Sequence, residues 1–288
     1  MLMADYENYS QTAKSYDSTR TSTGCEIWYG ELLGHFGDLN QLEILDAGCG
    51  TGNYTLALAQ YVRQVTALDV NEAMLGIARQ KVAYSELKEK ITLKHGLINE
   101  LPFENNSFDA VMFNQVLHHL DPRGTIEFEQ LRVALKEAER VLRPNGLIMI
   151  NTSSRLQMRH GFWYLELVPE ARQQGVDHMV DTNDLKRFLN ESGFDLVSRT
   201  VPLDCVLQGE SFYDCCGPVS AEWRSGDSIW SLASADELSS ALAKVKDMDA
   251  SGVLMDYMQT QDQGRRDYGQ ITFWVAEKRK KANADATQ

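Results

Sequence analysis

Between positions 42 and 151, short apolar runs alternate with stretches whose apolar residues recur at helical spacing. Leu42-Glu43-Ile44-Leu45-Asp46 is predicted to form a strand that ends in a glycine-rich turn, followed by a helix over 55–62 and a second strand over 65–69. Asn71 then suits an N-cap, because its side chain can accept from the free N–H groups of a following helix. Met74, Ile77, Ala78 and Val82 would share one face of that helix. Brief third and fourth strands are expected over 91–93 and 108–113. The next helix carries Phe128, Leu131, Leu135, Ala138 and Leu142 on one stripe, and the Pro144-Asn145-Gly146 turn separates it from a fifth strand over 147–150.

Strands that alternate with helices and lack a polar face imply a parallel sheet covered on both sides. Ligands of such sheets bind beyond the carboxyl ends of the strands, here after Asp46, Asp69, Leu93 and Phe113. Beyond Asn151 the regularity loosens. A helix is expected over 181–193, with Leu185, Phe188 and Leu189 inward, and strands over 194–201 and 270–276. The segment between those two strands, with a helical stretch over 235–248, is too long for a plain loop in a compact domain. It reads as an inserted cap.

Composition narrows the range of partners. The chain has 288 residues and a formal net charge of −13, with 43% apolar and 24% charged residues. That surplus of negative charge argues against nucleic acid or an anionic membrane surface as partner. The one basic cluster, Lys278-Arg279-Lys280-Lys281, opens the C-terminal tail. No apolar leader and no run of membrane-spanning length stands out, so neither a signal peptide nor membrane insertion is expected. Five cysteines (Cys25, Cys49, Cys205, Cys215 and Cys216), an odd and scattered set, do not make a disulfide framework. A reducing, cytoplasmic setting is the expectation.

The strongest chemical signal is Asp46-Ala47-Gly48-Cys49-Gly50-Thr51-Gly52 at the first strand-to-helix turn. A dinucleotide fingerprint would place its third glycine at position 53, where this chain has Asn53. Close-set glycines let the backbone approach a nucleotide-type ligand. Asp46, two residues before Gly48, would repel a pyrophosphate but suits a cationic group. Asp69, at the end of the second strand, can accept both hydroxyls of a ribose. An adenosyl group with a positively charged amino-acid tail, S-adenosylmethionine, satisfies both. A tight strand–helix junction without a ligand is the alternative.

The stretches ILDAGCGTGNYT, VTALDVNEAML, LPFENNSFDAVMFNQVLHHL and ERVLRPNGLIMIN resemble those of class I S-adenosylmethionine-dependent methyltransferases. They are most similar to the small-molecule branch that includes the quinone-biosynthesis methyltransferases. The resemblance implies an α/β, Rossmann-like, doubly wound seven-stranded sheet, mostly parallel with the last strand antiparallel, carrying an inserted helical cap. Residues 1–40 would form an N-terminal helical lid, 41–200 and 268–279 the methyltransferase domain, 202–267 the cap and 280–288 a flexible tail. Gly48, Gly50 and Gly52 would line the methionine and ribose portions of S-adenosylmethionine, with Asp46 near its amino group. Asp69 would bind the ribose hydroxyls, Val70 and Met74 would flank the adenine, and Arg20 would pair with the methionine carboxylate. Asn114 would sit at the substrate-facing loop. The family usually places an Asp where this chain has Leu97, so either Asn99 or the backbone of Ile98 would meet the adenine amine. The product would be S-adenosylhomocysteine.

Methyl transfer is an in-line displacement in which the enzyme mainly supplies proximity and a dry cavity, so no obligatory catalytic constellation is expected. His118 and Tyr16 are the catalytic candidates, with His119 ranked behind His118; packing or capping roles compete for all three. Arg159-His160-Gly161-Phe162-Trp163-Tyr164 reads as an aromatic lid over a small-molecule substrate, or else as core beneath a long loop. Arsenite methyltransferases pair this fold with thiolates, so a metalloid or thiol acceptor handled by Cys25, Cys205, Cys215 or Cys216 is an alternative. Buried, inert cysteines are preferred, and no metal site is expected. A non-catalytic cofactor-binding module is a further alternative, which the intact Asp46 and Asp69 disfavour. The acceptor atom and the oligomeric state stay open.

Overall fold

The computed structural model describes residue 17 and residues 21–280. Seven strands form one sheet: β1 (Glu43–Ala47), β2 (Gln64–Asp69), β3 (Ile91–His95), β4 (Phe108–Asn114), β5 (Leu142–Thr152), β6 (Phe194–Thr200) and β7 (Thr272–Lys278), in the order β3-β2-β1-β4-β5-β7-β6. The first five are mutually parallel, and β7 runs antiparallel to both β5 and β6.

Alternation along the central strands sends successive residues to opposite faces. Ile44, Ala110, Met112, Leu147 and Met149 join one apolar cluster, while Leu45, Ala47, Val111, Phe113, Ile148 and Ile150 join the other. Helix α1 (Cys25–Phe36) covers the first face through Trp28 and Leu32. Helices α4 (Glu129–Val141) and α7 (Thr182–Glu191) cover the second, using Leu131, Leu135, Phe188 and Leu189.

The order of strands reverses direction at β1. The chain moves outward through β2 and β3, then returns to place β4 on the other side of β1. That switch point leaves a crevice beyond the carboxyl ends of β1 and β4, where ligands of open α/β sheets bind. Helix α2 (Asn53–Ala59) starts at the glycine turn after β1, and α3 (Glu72–Ala83) follows β2. Asn71 caps α3 as expected, accepting from Ala73 N and Met74 N. The buried face of α3 is Met74, Leu75, Ala78 and Val82, with Ile77 half-buried at its edge.

One boundary differs. Strand β5 begins at Leu142, so this residue leaves the helical stripe to pair with Phe108. The Pro144-Asn145-Gly146 turn becomes an irregularity within the strand, with Asn145 at φ 65°, before regular pairing resumes at Leu147.

Two helices, α5 (Arg155–His160) and α6 (Pro169–His178), link β5 to α7. Between β6 and β7 lie α8 (Ala221–Ser225), α9 (Ala235–Ala250), α10 (Leu254–Gln261) and α11 (Gln263–Tyr268), with short 3-10 turns. Phe212, Ile229, Trp230, Val245 and Met258 from this insertion share the apolar cluster of the α1 side of the sheet, and so do Phe162, Trp163 and Tyr164. No helix among the described residues is long and apolar enough to cross a membrane.

Candidate active site

The crevice holds a cavity of about 400 Å³, within the range of small-molecule sites. Its walls come from the ends of β1, β2 and β4, the loop after β3, and Leu207 of the insertion.

Asp46, at the end of β1, is buried, and its Oδ2 accepts a 2.6 Å hydrogen bond from Thr55 Oγ1 in the first turn of α2. Its Oδ1 has no hydrogen-bond partner among the described residues, and neither has Asn114 Nδ2. Burial pushes the Asp46 carboxyl up to about 6, a rise restrained by Thr55 and by the neighbouring Asn114 amide and reinforced by the charge of Asp69. Asn114 Oδ1 accepts from Trp28 Nε1 at 2.9 Å.

The glycine turn wraps this carboxylate. Gly48 and Gly50 have φ of +83° and +54°, a region that a side chain disfavours. A Cβ on Gly48 would lie 2.5 Å from Val116 Cγ2, so glycine is what lets the segment after β4 close against the turn. A Cβ on Gly50 would meet nothing within 4 Å. The two halves of the site are tied by Asp69, which accepts from Gly50 N at 2.8 Å and from Asn71 N at 2.7 Å. Burial raises the pKa of Asp69, and the N–H groups of Asn71, Gly50 and Val70 oppose that rise.

Beyond the carboxylates the cavity changes character. Val116, Leu120, Pro122 and Leu207 supply apolar wall, with Tyr54, Gln115 and His119 among them. Burial, with help from the nearby His178, pushes the His119 imidazole down to about 3, so it is neutral through the physiological range. No Lys or Arg is among the described residues lining the cavity.

Residues 45–150 match the family model described as a methyltransferase domain. That match and the relatives make the chain similar to class I S-adenosylmethionine-dependent methyltransferases. It is similar to a demethylmenaquinone methyltransferase of Staphylococcus aureus, with 29% identity over 210 residues that span 65% of this chain and 83% of the relative. Among solved structures, a protein described as a methyltransferase from an antibiotic biosynthesis pathway of Anabaena variabilis superposes with a TM-score of 0.69 at 18% identity, covering 90% of this chain and 99% of that one. Geranyl diphosphate C-methyltransferase from Streptomyces coelicolor, solved with Mg2+, geranyl diphosphate and S-adenosylhomocysteine, superposes with a TM-score of 0.55 at 12% identity, covering 88% and 79% of the two chains. At these identities the two structures show a shared fold with this chain and no more.

Of the residues singled out from the sequence, Asp46, Gly48, Gly50, Asp69, Val70, Met74, Ile98, Asn99 and Asn114 all line the one cavity. Gly52 does not; it is the N-cap of α2, packed 3.5 Å from Ala78 Cβ by the position a Cβ would take. His118 is also absent from the wall. The 3-10 turn Leu117–His119 presents His119 to the cavity instead. Tyr16 and Arg20 lie outside the described residues. Leu97, standing where the family usually has an Asp, lines the cavity, and Asn99 Nδ2 donates to Gln130 Oε1 at 2.6 Å, which leaves its Oδ1 to accept.

The aromatic patch falls on the core alternative by its packing. Phe162, Trp163 and Tyr164 are buried among Phe212, Trp223 and Trp230 rather than over the cavity. Trp163 Nε1 donates to Phe212 O at 2.7 Å, and Tyr164 OH donates to Asp227 Oδ2 at 2.5 Å, so their polar atoms are spent on the insertion. Tyr54, Gln115 and Leu207 escaped the sequence reading. Gln115 directly follows Asn114 at a strand end and was within its reach, whereas Leu207 reaches the site only through tertiary packing.

Proposed function

We propose that this methyltransferase uses S-adenosylmethionine to methylate a neutral small organic molecule held at the apolar end of the cavity. When bound, S-adenosylmethionine supplies a methyl group on a cationic sulfonium. The fit rests on the orphaned, buried Asp46 Oδ1, whose raised pKa falls back once a cationic amino group sits beside it. In this reading Gly48 and Gly50 cradle the methionine and ribose portions. Asp69 keeps lone pairs for the ribose hydroxyls, Val70 and Met74 flank the adenine, and Asn99 Oδ1 or the Ile98 backbone meets the adenine amine. Asn114 stands at the border with the acceptor.

The single observation that carries the acceptor class is the scarcity of charge in the cavity wall. Apart from buried Asp46 and half-buried Asp69, the described wall has apolar side chains, amides, a tyrosine and a neutral imidazole, with no Lys or Arg to hold a carboxylate or phosphate. Burying an unpaired anion there would cost several kcal/mol. A quinol ring, the reduced form of the quinone class in the Staphylococcus relative's name, meets that requirement and is the nucleophilic form that a sulfonium methyl needs. His119 shapes the wall and excludes water; its imidazole, pushed down to about 3, is neutral in the working range and keeps a single ring N–H. Rate then comes from proximity and desolvation. The cover over the acceptor is Leu207 with its flanking insertion, in place of the aromatic patch, in a cytoplasmic enzyme acting on a diffusible substrate.

The metalloid alternative loses support. Cys25, Cys205, Cys215 and Cys216 are absent from the cavity wall. Burial pushes the Cys25 thiol up to about 12 and raises Cys205 as well, which disfavours the thiolate needed to bind a soft metalloid. Methyl-labelled S-adenosylmethionine incubated with thiols, amines, phenols, quinols, carboxylates and arsenite tests the proposal. Label on phenols or quinols is expected, and label on arsenite or carboxylates alone would overturn it.

A further inference from the structure

Gln115 follows β4 directly and has φ 52°, a left-handed conformation that non-glycine residues adopt only when their surroundings impose it. Asn151 imposes it at two points. Gln115 N donates to Asn151 O at 2.8 Å, and Gln115 Nε2 donates to Asn151 Oδ1, also at 2.8 Å. The relay continues from Asn151 Nδ2 to Tyr54 OH at 2.8 Å and from Tyr54 OH to Thr23 O at 2.7 Å.

The direction of this relay is fixed by its last member. A backbone carbonyl only accepts, so the Tyr54 hydroxyl gives its proton to Thr23 O and must itself accept from the Asn151 amide nitrogen. Asn151 therefore turns its oxygen toward Gln115, and Gln115 must meet it with Nε2. What remains is Gln115 Oε1, which takes no hydrogen bond among the described residues, in a side chain that lines the cavity beside Val116. Since Asn151 is buried, solvent does not scramble the arrangement.

We propose that Gln115 is a specificity-determining residue of the acceptor subsite, and that its Oε1 accepts a hydrogen bond from a hydroxyl group on a neutral ring. The proposal rests on the reading of this cavity as the methyl-transfer site. Gln115 Oε1, locked in orientation, accepts only, so at that atom an O–H donor is favoured over an ether or carbonyl oxygen, whose lone pairs would face its own. The apolar walls Leu120, Pro122 and Leu207 suit the ring that carries the hydroxyl.

The test compares matched pairs, phenol with anisole and 1,4-dihydroxynaphthalene with 1,4-dimethoxynaphthalene, titrated under anaerobic conditions into the protein loaded with S-adenosylhomocysteine. Wild type is expected to bind the hydroxyl member about tenfold more tightly, the return of one hydrogen bond in a dry site. In Gln115→Met the ratio should fall below about twofold. Gln115→Gly, which relieves the positive φ, should do the same and guards against misfolding of the Met variant. A merely structural role would weaken both members alike and leave the ratio untouched. Equal binding of the pair by wild type, a ratio preserved in both variants, or no binding of either hydroxyl probe while S-adenosylhomocysteine binds would each overturn the proposal. Failure of wild type to bind S-adenosylhomocysteine would overturn the methyl-transfer reading itself, and this inference with it.

Discussion

The two ends of the cavity handle charge in opposite ways. At one end, buried Asp46 and half-buried Asp69 are carboxylates held by Thr55 and by the N–H groups of two loops. At the other, Gln115, Tyr54 and a neutral His119 sit among apolar side chains. The first end suits a cation and a ribose, the second a neutral ring. In the proposed function, keeping negative charge close to a cationic cofactor and away from the acceptor would hold the cofactor without also capturing charged competitors.

The same contrast runs through how the ends are built. The carboxylate end comes from one strand–turn–helix unit and the strand beside it, where Gly48, Gly50 and Asp69 obey local backbone rules. The neutral end joins residues far apart in the chain, such as Gln115, Tyr54 and Leu207.

The largest effect expected from separating these regions lies outside both. Trp163→Ala removes a fully buried side chain from the insertion's core and should destabilise the protein by about 3–5 kcal/mol in chemical denaturation. S-Adenosylhomocysteine affinity and acceptor KM, measured well below the unfolding transition, should stay within about twofold. An acceptor KM that rises while stability holds would restore the aromatic residues as a lid.

Asp69→Ala comes next, with an expected loss of about 1–3 kcal/mol in S-adenosylhomocysteine affinity by calorimetry, since it also strands Gly50 N. Unchanged affinity would dissociate Asp69 from the cofactor end.

The Asp46 carboxyl predicts a pH dependence. Burial raises it from an ordinary 3.8 to about 6, so below pH 6 the ligand-free protein holds it protonated. Cofactor affinity should be flat above that point and fall by up to about tenfold per pH unit below it, and Asp46→Asn should weaken binding and flatten the profile. Stability runs the other way. Because the folded pKa exceeds the unfolded one, this group's stabilising contribution is full below about pH 4 and is lost as pH rises through about 6. The thermal upshift given by S-adenosylhomocysteine should therefore grow between pH 5 and pH 7.

The smallest expected effect is that of Cys215→Ser with Cys216→Ser, which should leave methyl transfer to phenols and quinols within about twofold of wild type. Loss of activity would bring the thiols back into the account.

These contrasts also explain what was legible in the sequence. The strands around Asp46 and Asp69, the Asn71 cap and the antiparallel last strand follow from hydrophobic period, turn chemistry and family resemblance, all local in sequence. The choice between His118 and His119 was not legible, because a single 3-10 turn after β4 decides which ring enters the cavity. Gly52 looked equivalent to Gly48 and Gly50, yet its position faces α3 through Ala78. The aromatic cluster at 162–164 carries no mark of its side, and only its packing against Phe212 and Trp230, from beyond β6, shows that it is core.

The most direct test of the account is a crystal structure of the protein with S-adenosylhomocysteine. The account predicts ribose hydroxyls on Asp69, the amino group beside Asp46 Oδ1 and the sulfur directed toward Gln115 and His119. A ligand bound elsewhere, or reversed so that the adenine occupies the Gln115 end, would contradict it.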